Sequence, residues 1–112
     1  MVINFNEITE TEIQHMNNGD GSIFAKMMMT PESKVVFRRL PPGSSIGRHV
    51  QTRISETSYV ISGEGIQSCD GTEEQFSQGM CIFCAKGSSL TITNTGNKDL
   101  VLFSVIREIK KF

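Results

Sequence analysis

At 112 residues and 12.4 kDa the chain has room for one domain, one core and one site. Lys and Arg number 11 against 12 Asp and Glu, so the basic excess that a phosphate backbone demands is missing and nucleic acid is not an expected partner. No apolar run approaches the ~20 residues needed to span a bilayer, Met1 to Glu7 lacks the charged start and apolar block of a secretion signal, and the odd set Cys69, Cys81 and Cys84 speaks against a disulfide framework; the expectation is a cytoplasmic protein with no membrane partner.

Taken in chain order, residues 1–22 read as an N-terminal arm and 23–112 as a β-barrel domain. Within the arm, Thr9 to Met16 could form a short helix, with Thr9 and Glu12 as a capping box and Ile13 and Met16 on one face, or equally a β arm. Turn signals then recur at Asn17 to Gly21, Pro41-Pro42-Gly43, Gly63-Glu64-Gly65, Cys69-Asp70-Gly71, Gln78-Gly79, Lys86-Gly87 and Asn94 to Asn97. They separate eight strand-sized runs: Ile23 to Met29, Lys34 to Leu40, Gly47 to Thr52, Thr57 to Ser62, Ile66 to Cys69, Met80 to Cys84, Leu90 to Asn94 and Leu100 to Arg107. Regular spacing of this kind predicts an all-β sandwich or barrel. Met27-Met28-Met29 is assigned to its core. Leu100 to Ile106 is apolar on both faces and is expected to be covered on both sides; a partner subunit could supply one cover, which makes a homodimer the expected assembly. Arg107 to Phe112 reads as a solvated tail.

The chemistry concentrates between Gly43 and Gly65. Side chains alternate along a strand, so His49 and Gln51 share one face while Arg48 and Val50 take the other. Thr52 to Ser55 can turn the chain so that Glu56 enters the next strand opposite them, gathering an imidazole, an amide and a carboxylate. Period two places Ser58 and Val60 on the face of Glu56. This segment resembles the first cupin motif, G(x)5HxH(x)4E(x)6G, through Gly43, His49, Glu56 and Gly63, with Gln51 in place of the second histidine. Gly79, Gly87 and Asn94 echo the second motif, G(x)5PxG(x)2H(x)3N, with Ala85 in place of proline and Leu90 in place of the third histidine. The resemblance covers roughly Lys34 to Ile106. It implies a double-stranded β-helix, the jelly-roll β-barrel of two antiparallel sheets, often dimeric, with a pocket at one end.

In metal-bearing cupins three histidines and a glutamate usually hold Mn, Fe, Ni, Zn or Cu. Here His49 and Glu56 remain, Gln51 offers a neutral carbonyl, and Leu90 offers nothing, so metal affinity should fall substantially. The expected pocket comprises His49, Gln51, Glu56, Ser58, Val60, Leu90 and Ile92, with Asn94 on the face of Leu90 and Ile92. Without metal, the Gln51 amide and the His49 ring could satisfy Glu56 by hydrogen bonds. Two functions follow. The favoured one is a module that binds a small organic molecule, a sugar or a carboxylate. The alternative is a metal-dependent enzyme (dioxygenase, isomerase, decarboxylase or lyase) using His49, Gln51 and Glu56 as ligands to a divalent transition metal, with Lewis-acid or oxygen chemistry at an open position.

Other residues have simpler readings. Cys81 and Cys84 form a CxxC, but three residues apart on a strand they point to opposite faces on the order of 10 Å apart, so packing is expected of them. His15 has no evident partner. Tyr59 faces away from Glu56, where packing is the simplest role. Arg53, in the turn after Gln51, is the cation that could lean over the pocket mouth toward an anion, although a solvated loop is the simpler placement.

Overall fold

Turn residues cut the described residues into ten strands: β1 (Thr11–Gln14), β2 (Ser22–Met29), β3 (Lys34–Leu40), β4 (Ser45–Val50), β5 (Ile54–Ser62), β6 (Glu64–Cys69), β7 (Thr72–Ser77), β8 (Cys81–Cys84), β9 (Ser89–Asn94) and β10 (Leu100–Glu108). The structure is a computed structural model that describes residues 1–108. All pairings are antiparallel. They build a six-stranded sheet in the order β1-β2-β3-β10-β5-β8 and a four-stranded sheet in the order β4-β9-β6-β7. The architecture is all-β, as turn spacing predicts, and is the jelly roll that the cupin resemblance implies. The only helical pieces among the described residues are 3-10 turns at Phe5–Glu7 and Met16–Asn18, and no helix is long and apolar enough to cross a membrane.

Two strands go beyond the eight read from the sequence. In the Thr9 to Met16 segment the strand wins over the helix, because so short a run pays the full cost of helix nucleation. As β1 it finds a ready ladder on β2, with Thr11 opposite Ala25 and Gln14 opposite Ser22. β7 escapes notice because Thr72 to Gln75 are polar and exposed; it is an edge strand that buries only Phe76. Asp70 and Gly71 both adopt positive φ, the requirement of the tight turn that joins β6 to β7 in register.

Alternation sorts each strand. Ile23, Leu40, Ile46, Val60, Phe76, Ile82, Leu90, Ile92, Leu100 and Leu102 fill the space between the sheets, each such burial contributing roughly 1.5–3 kcal/mol. On the outer face of the six-stranded sheet, Phe5 lies edge-on to Phe103 at 5.9 Å and tilted on Phe37 at 6.2 Å. Its carbonyl accepts a hydrogen bond from Lys26 Nζ, and Glu10 pairs with Arg39 nearby. The outer cover of β10 at Phe103 therefore comes from the same chain.

Three readings are corrected. Met27, Met28 and Met29 are exposed rather than core, because the far half of β2 pairs only with β3 and loses the alternating burial of its near half. Cys81 is exposed, so only Cys84 of the CxxC packs inside. Arg107 and Glu108 still belong to β10, opposite Ser55 and Ile54; the rest of the tail, residues 109–112, lies outside the described residues.

Candidate ligand pocket

A bulge in β4 aims the histidine. Ile46 opposes Ile92 and His49 opposes Leu90, so three steps on β4 match two on β9 and one residue is extra at Gly47-Arg48. Directly opposed residues share a face, and Leu90 is buried in the core. The half-buried His49 ring is thus turned inward, with Nδ1 2.9 Å from its own strand's Gly47 carbonyl. Gly47 is required here by contact: a Cβ would overlap the Asn17 carbonyl oxygen, where the Met16–Asn18 turn presses on β4.

Gln51 follows β4 and is pinned through its backbone, its N–H donating to the Ser88 carbonyl at 2.8 Å and its carbonyl accepting from Gly87 N–H. The residue is 1% exposed, and its Nε2 has no hydrogen-bond partner among the described residues. Glu56, near the start of β5, opposes Cys84 on one side and Ile106 on the other. It is 5% exposed.

The partner of Glu56 is a residue that the motif does not contain. Arg38 of β3, itself 5% exposed, donates through Nη2 to Glu56 Oε2 at 2.9 Å and to Ser104 Oγ at 2.7 Å, with Ser58 Oγ at 3.5 Å. Ser58 and Ser104 are bonded to each other at 2.7 Å. The expected satisfaction of Glu56 by His49 and Gln51 is therefore corrected: among the described residues no hydrogen bond joins either of them to Glu56, and a guanidinium, charged and rigid, is the stronger partner for a buried carboxylate. Arg38 Nε remains buried without a partner. Period two would have found it, since Val36, Arg38 and Leu40 share the inward face of β3. Arg53, the cation picked from the sequence, is exposed in the β4–β5 loop.

The remaining pocket candidates divide by depth. Ser58 joins the polar network, Leu90 faces His49, and Val60 and Ile92 lie in the apolar core. Asn94 is buried, but its amide is spent on structure: Nδ2 donates to the Leu40 and Lys98 carbonyls, and Oδ1 accepts from Gly96 N–H. Arg48 is exposed and donates to Ser89 Oγ, Tyr59 is half-exposed on the outer face, and His15 meets the Gly19 carbonyl in a surface turn. Beyond Glu56, a cleft of about 700 Å³ lined by Met29, Pro31, Lys34, Ile54 and Ile106 opens at this end of the six-stranded sheet.

Cys84 lies beside Glu56, with its sulfur 3.7 Å from that of Cys69. Burial, the Cys69 contact and the Glu56 charge push its thiol up to about 12. For a transition metal the pocket offers one imidazole, one carboxylate already bonded to a guanidinium, and one neutral amide, with leucine on the fourth side. That is a far weaker set than three imidazoles and a free carboxylate.

Comparison with known proteins agrees with the architecture. The family model for the cupin domain matches residues 36–106. An oxalate-binding protein of Thermotoga maritima is 35% identical over 112 residues, spanning 95% of this chain and 93% of the relative. Among solved structures, a protein of Thermotoga maritima described as a predicted oxalate decarboxylase superposes with a TM-score of 0.91 at 31% identity, covering 97% of this chain and all of the other. KdgF from Halomonas sp. superposes with a TM-score of 0.82 at 14% identity, covering 99% and 96% of the two chains, a likeness of fold.

Proposed function

The chain belongs to the cupin domain family, and from that premise we propose that its barrel binds a small carboxylate such as oxalate through the Arg38 guanidinium and the Gln51 amide, with no resident transition metal. One observation carries this reading: Arg38 Nε and Gln51 Nε2 are buried donors without an acceptor among the described residues. A buried unmade hydrogen bond costs about 1–3 kcal/mol, and a carboxylate supplies the missing acceptors. Arg38 suits the task because Glu56 and Ser104 bond only to Nη2, which fixes the guanidinium plane while leaving the Nε–H for an anion. Glu56 holds the cation in place and offsets its charge. Val60, Ile92 and Leu90 form an apolar floor that favours a short ligand. The similarity to an oxalate-binding protein supports the ligand class.

No chemical transformation is required of these groups. The metal-dependent alternative would draw on a carboxylate whose Oε2 already holds Arg38 Nη2.

Titration calorimetry with oxalate on protein dialysed against chelator tests the reading. Binding of one equivalent is expected, weakened roughly tenfold to a hundredfold in Gln51→Leu by loss of one hydrogen bond to a charged group. Binding that appears only after a divalent transition metal is restored overturns it.

A further inference from the structure

Cys69 and Cys84 come from different sheets. Cys69 ends β6 of the four-stranded sheet and Cys84 ends β8, the edge of the six-stranded sheet. No backbone ladder joins these two strands among the described residues, yet Gln67 Nε2 on β6 donates to the Phe83 carbonyl on β8 at 3.2 Å. The two strands are thus already held side by side where the barrel closes, two residues before Cys69 and one before Cys84. Those sulfurs stand 3.7 Å apart, in van der Waals contact. Cys69 opposes Leu90 and Cys84 opposes Glu56, so the pair bridges the two walls at the level of the pocket.

We propose that Cys69 and Cys84 are a reversible disulfide site, oxidised by hydrogen peroxide, that staples the β6–β8 seam across the pocket. Cys69, the more exposed of the two, reacts first. Its thiolate sulfur attacks one peroxide oxygen, the O–O bond breaks, and the products are a sulfenic acid on Cys69 and hydroxide, which takes up the proton released by the thiol to become water. The Cys84 sulfur then attacks the Cys69 sulfur; the S–O bond breaks, the Cys84 proton leaves with the hydroxide as water, and the S–S bond forms. Two thiols are oxidised by two electrons in all and one peroxide is reduced to two waters. A dithiol reductant reverses the change by exchange. Closing 3.7 Å to a bonded distance near 2 Å asks for side-chain rotation and a small approach of β8 to β6. The linked loop removes freedom from the unfolded chain, so the oxidised form should also melt later.

The test uses the full chain carrying Cys81→Ser, which removes the exposed thiol and its intermolecular chemistry. After hydrogen peroxide treatment, intact mass should fall by two hydrogens, peptide mapping should recover Cys69 joined to Cys84, and the melting midpoint should rise by several degrees, all reversed by dithiothreitol. Cys69→Ser in the same background should show neither the mass loss nor the shift. Oxygen adducts without a cross-link, a covalent dimer, or two thiols still open to alkylation after treatment would each overturn the proposal. None of these readouts depends on carboxylate binding.

Discussion

The two walls of the barrel are built from the same strand alternation but spend it differently. The four-stranded wall buries Ile46, Leu90, Ile92 and Phe76 with the uncharged Ser45, Gln67 and Asn94, and carries His49 near one end. The six-stranded wall presents a buried cation, a carboxylate and two hydroxyls, Arg38, Glu56, Ser58 and Ser104, in one hydrogen-bonded network. A position that carries a metal-binding imidazole in the cupin motif is therefore leucine on one wall, while the other wall carries a charge pair. The lesson is that the buried charge of this pocket sits on the six-stranded wall, and the chemistry should follow it.

Removing Arg38 should break this contrast most severely. Arg38→Met leaves Glu56 buried and unpaired, which should destabilise the fold by about 3–5 kcal/mol in urea unfolding. The double variant Arg38→Met with Glu56→Leu should recover most of that loss, because no uncompensated charge remains; if the double variant loses as much as the single, the pair is not what stabilises this wall. Leu90 comes next. Leu90→Ala opens a cavity in the apolar wall at a cost of roughly 2–5 kcal/mol. Leu90→His instead sets an imidazole opposite His49, and zinc affinity, measured by competition with a chromophoric chelator, should rise over that of the parent; an unchanged affinity would show that Glu56 stays committed to Arg38.

The smallest effect concerns pH at the rim of the four-stranded wall. Asp70 accepts from Ser89 N–H at 2.8 Å and ties the β6–β7 turn to β9; that bond, with help from the Ser88 hydroxyl, holds its carboxyl below the usual range. Because the folded value is lowered, the contact stabilises the fold fully above the ordinary carboxylate range and is lost as pH falls through the lowered value. Asp70→Asn should flatten that part of the acid limb of a urea-midpoint profile by slightly lowering its neutral end while leaving the most acid end unchanged.

Much of this was legible in the chain. His49 and Gln51 two residues apart, Glu56 after a turn, and Leu90 and Ile92 in phase are local statements about period two, and such statements hold wherever a strand forms. β7 was not legible because an exposed edge strand has no apolar phase to read. Met27 to Met29 misled because hydrophobicity says what can be buried and not whether a facing sheet reaches that far. Arg38 could have been found from Val36 and Leu40 on either side of it, but its partner could not: Glu56 lies 18 residues away and Ser104 66.

By itself the sequence determined where eight of the ten strands begin and end to within a few residues, which face the side chains around the pocket take, and that the family's ligand set is incomplete. The tertiary structure alone decided that Arg38 meets Glu56, that Cys69 meets Cys84, and that Phe5 covers Phe103. The reason is physical. Facing is a property of one strand's pleat, whereas these contacts depend on which distant strands become neighbours and in what register, and that is settled by the packing of the whole barrel.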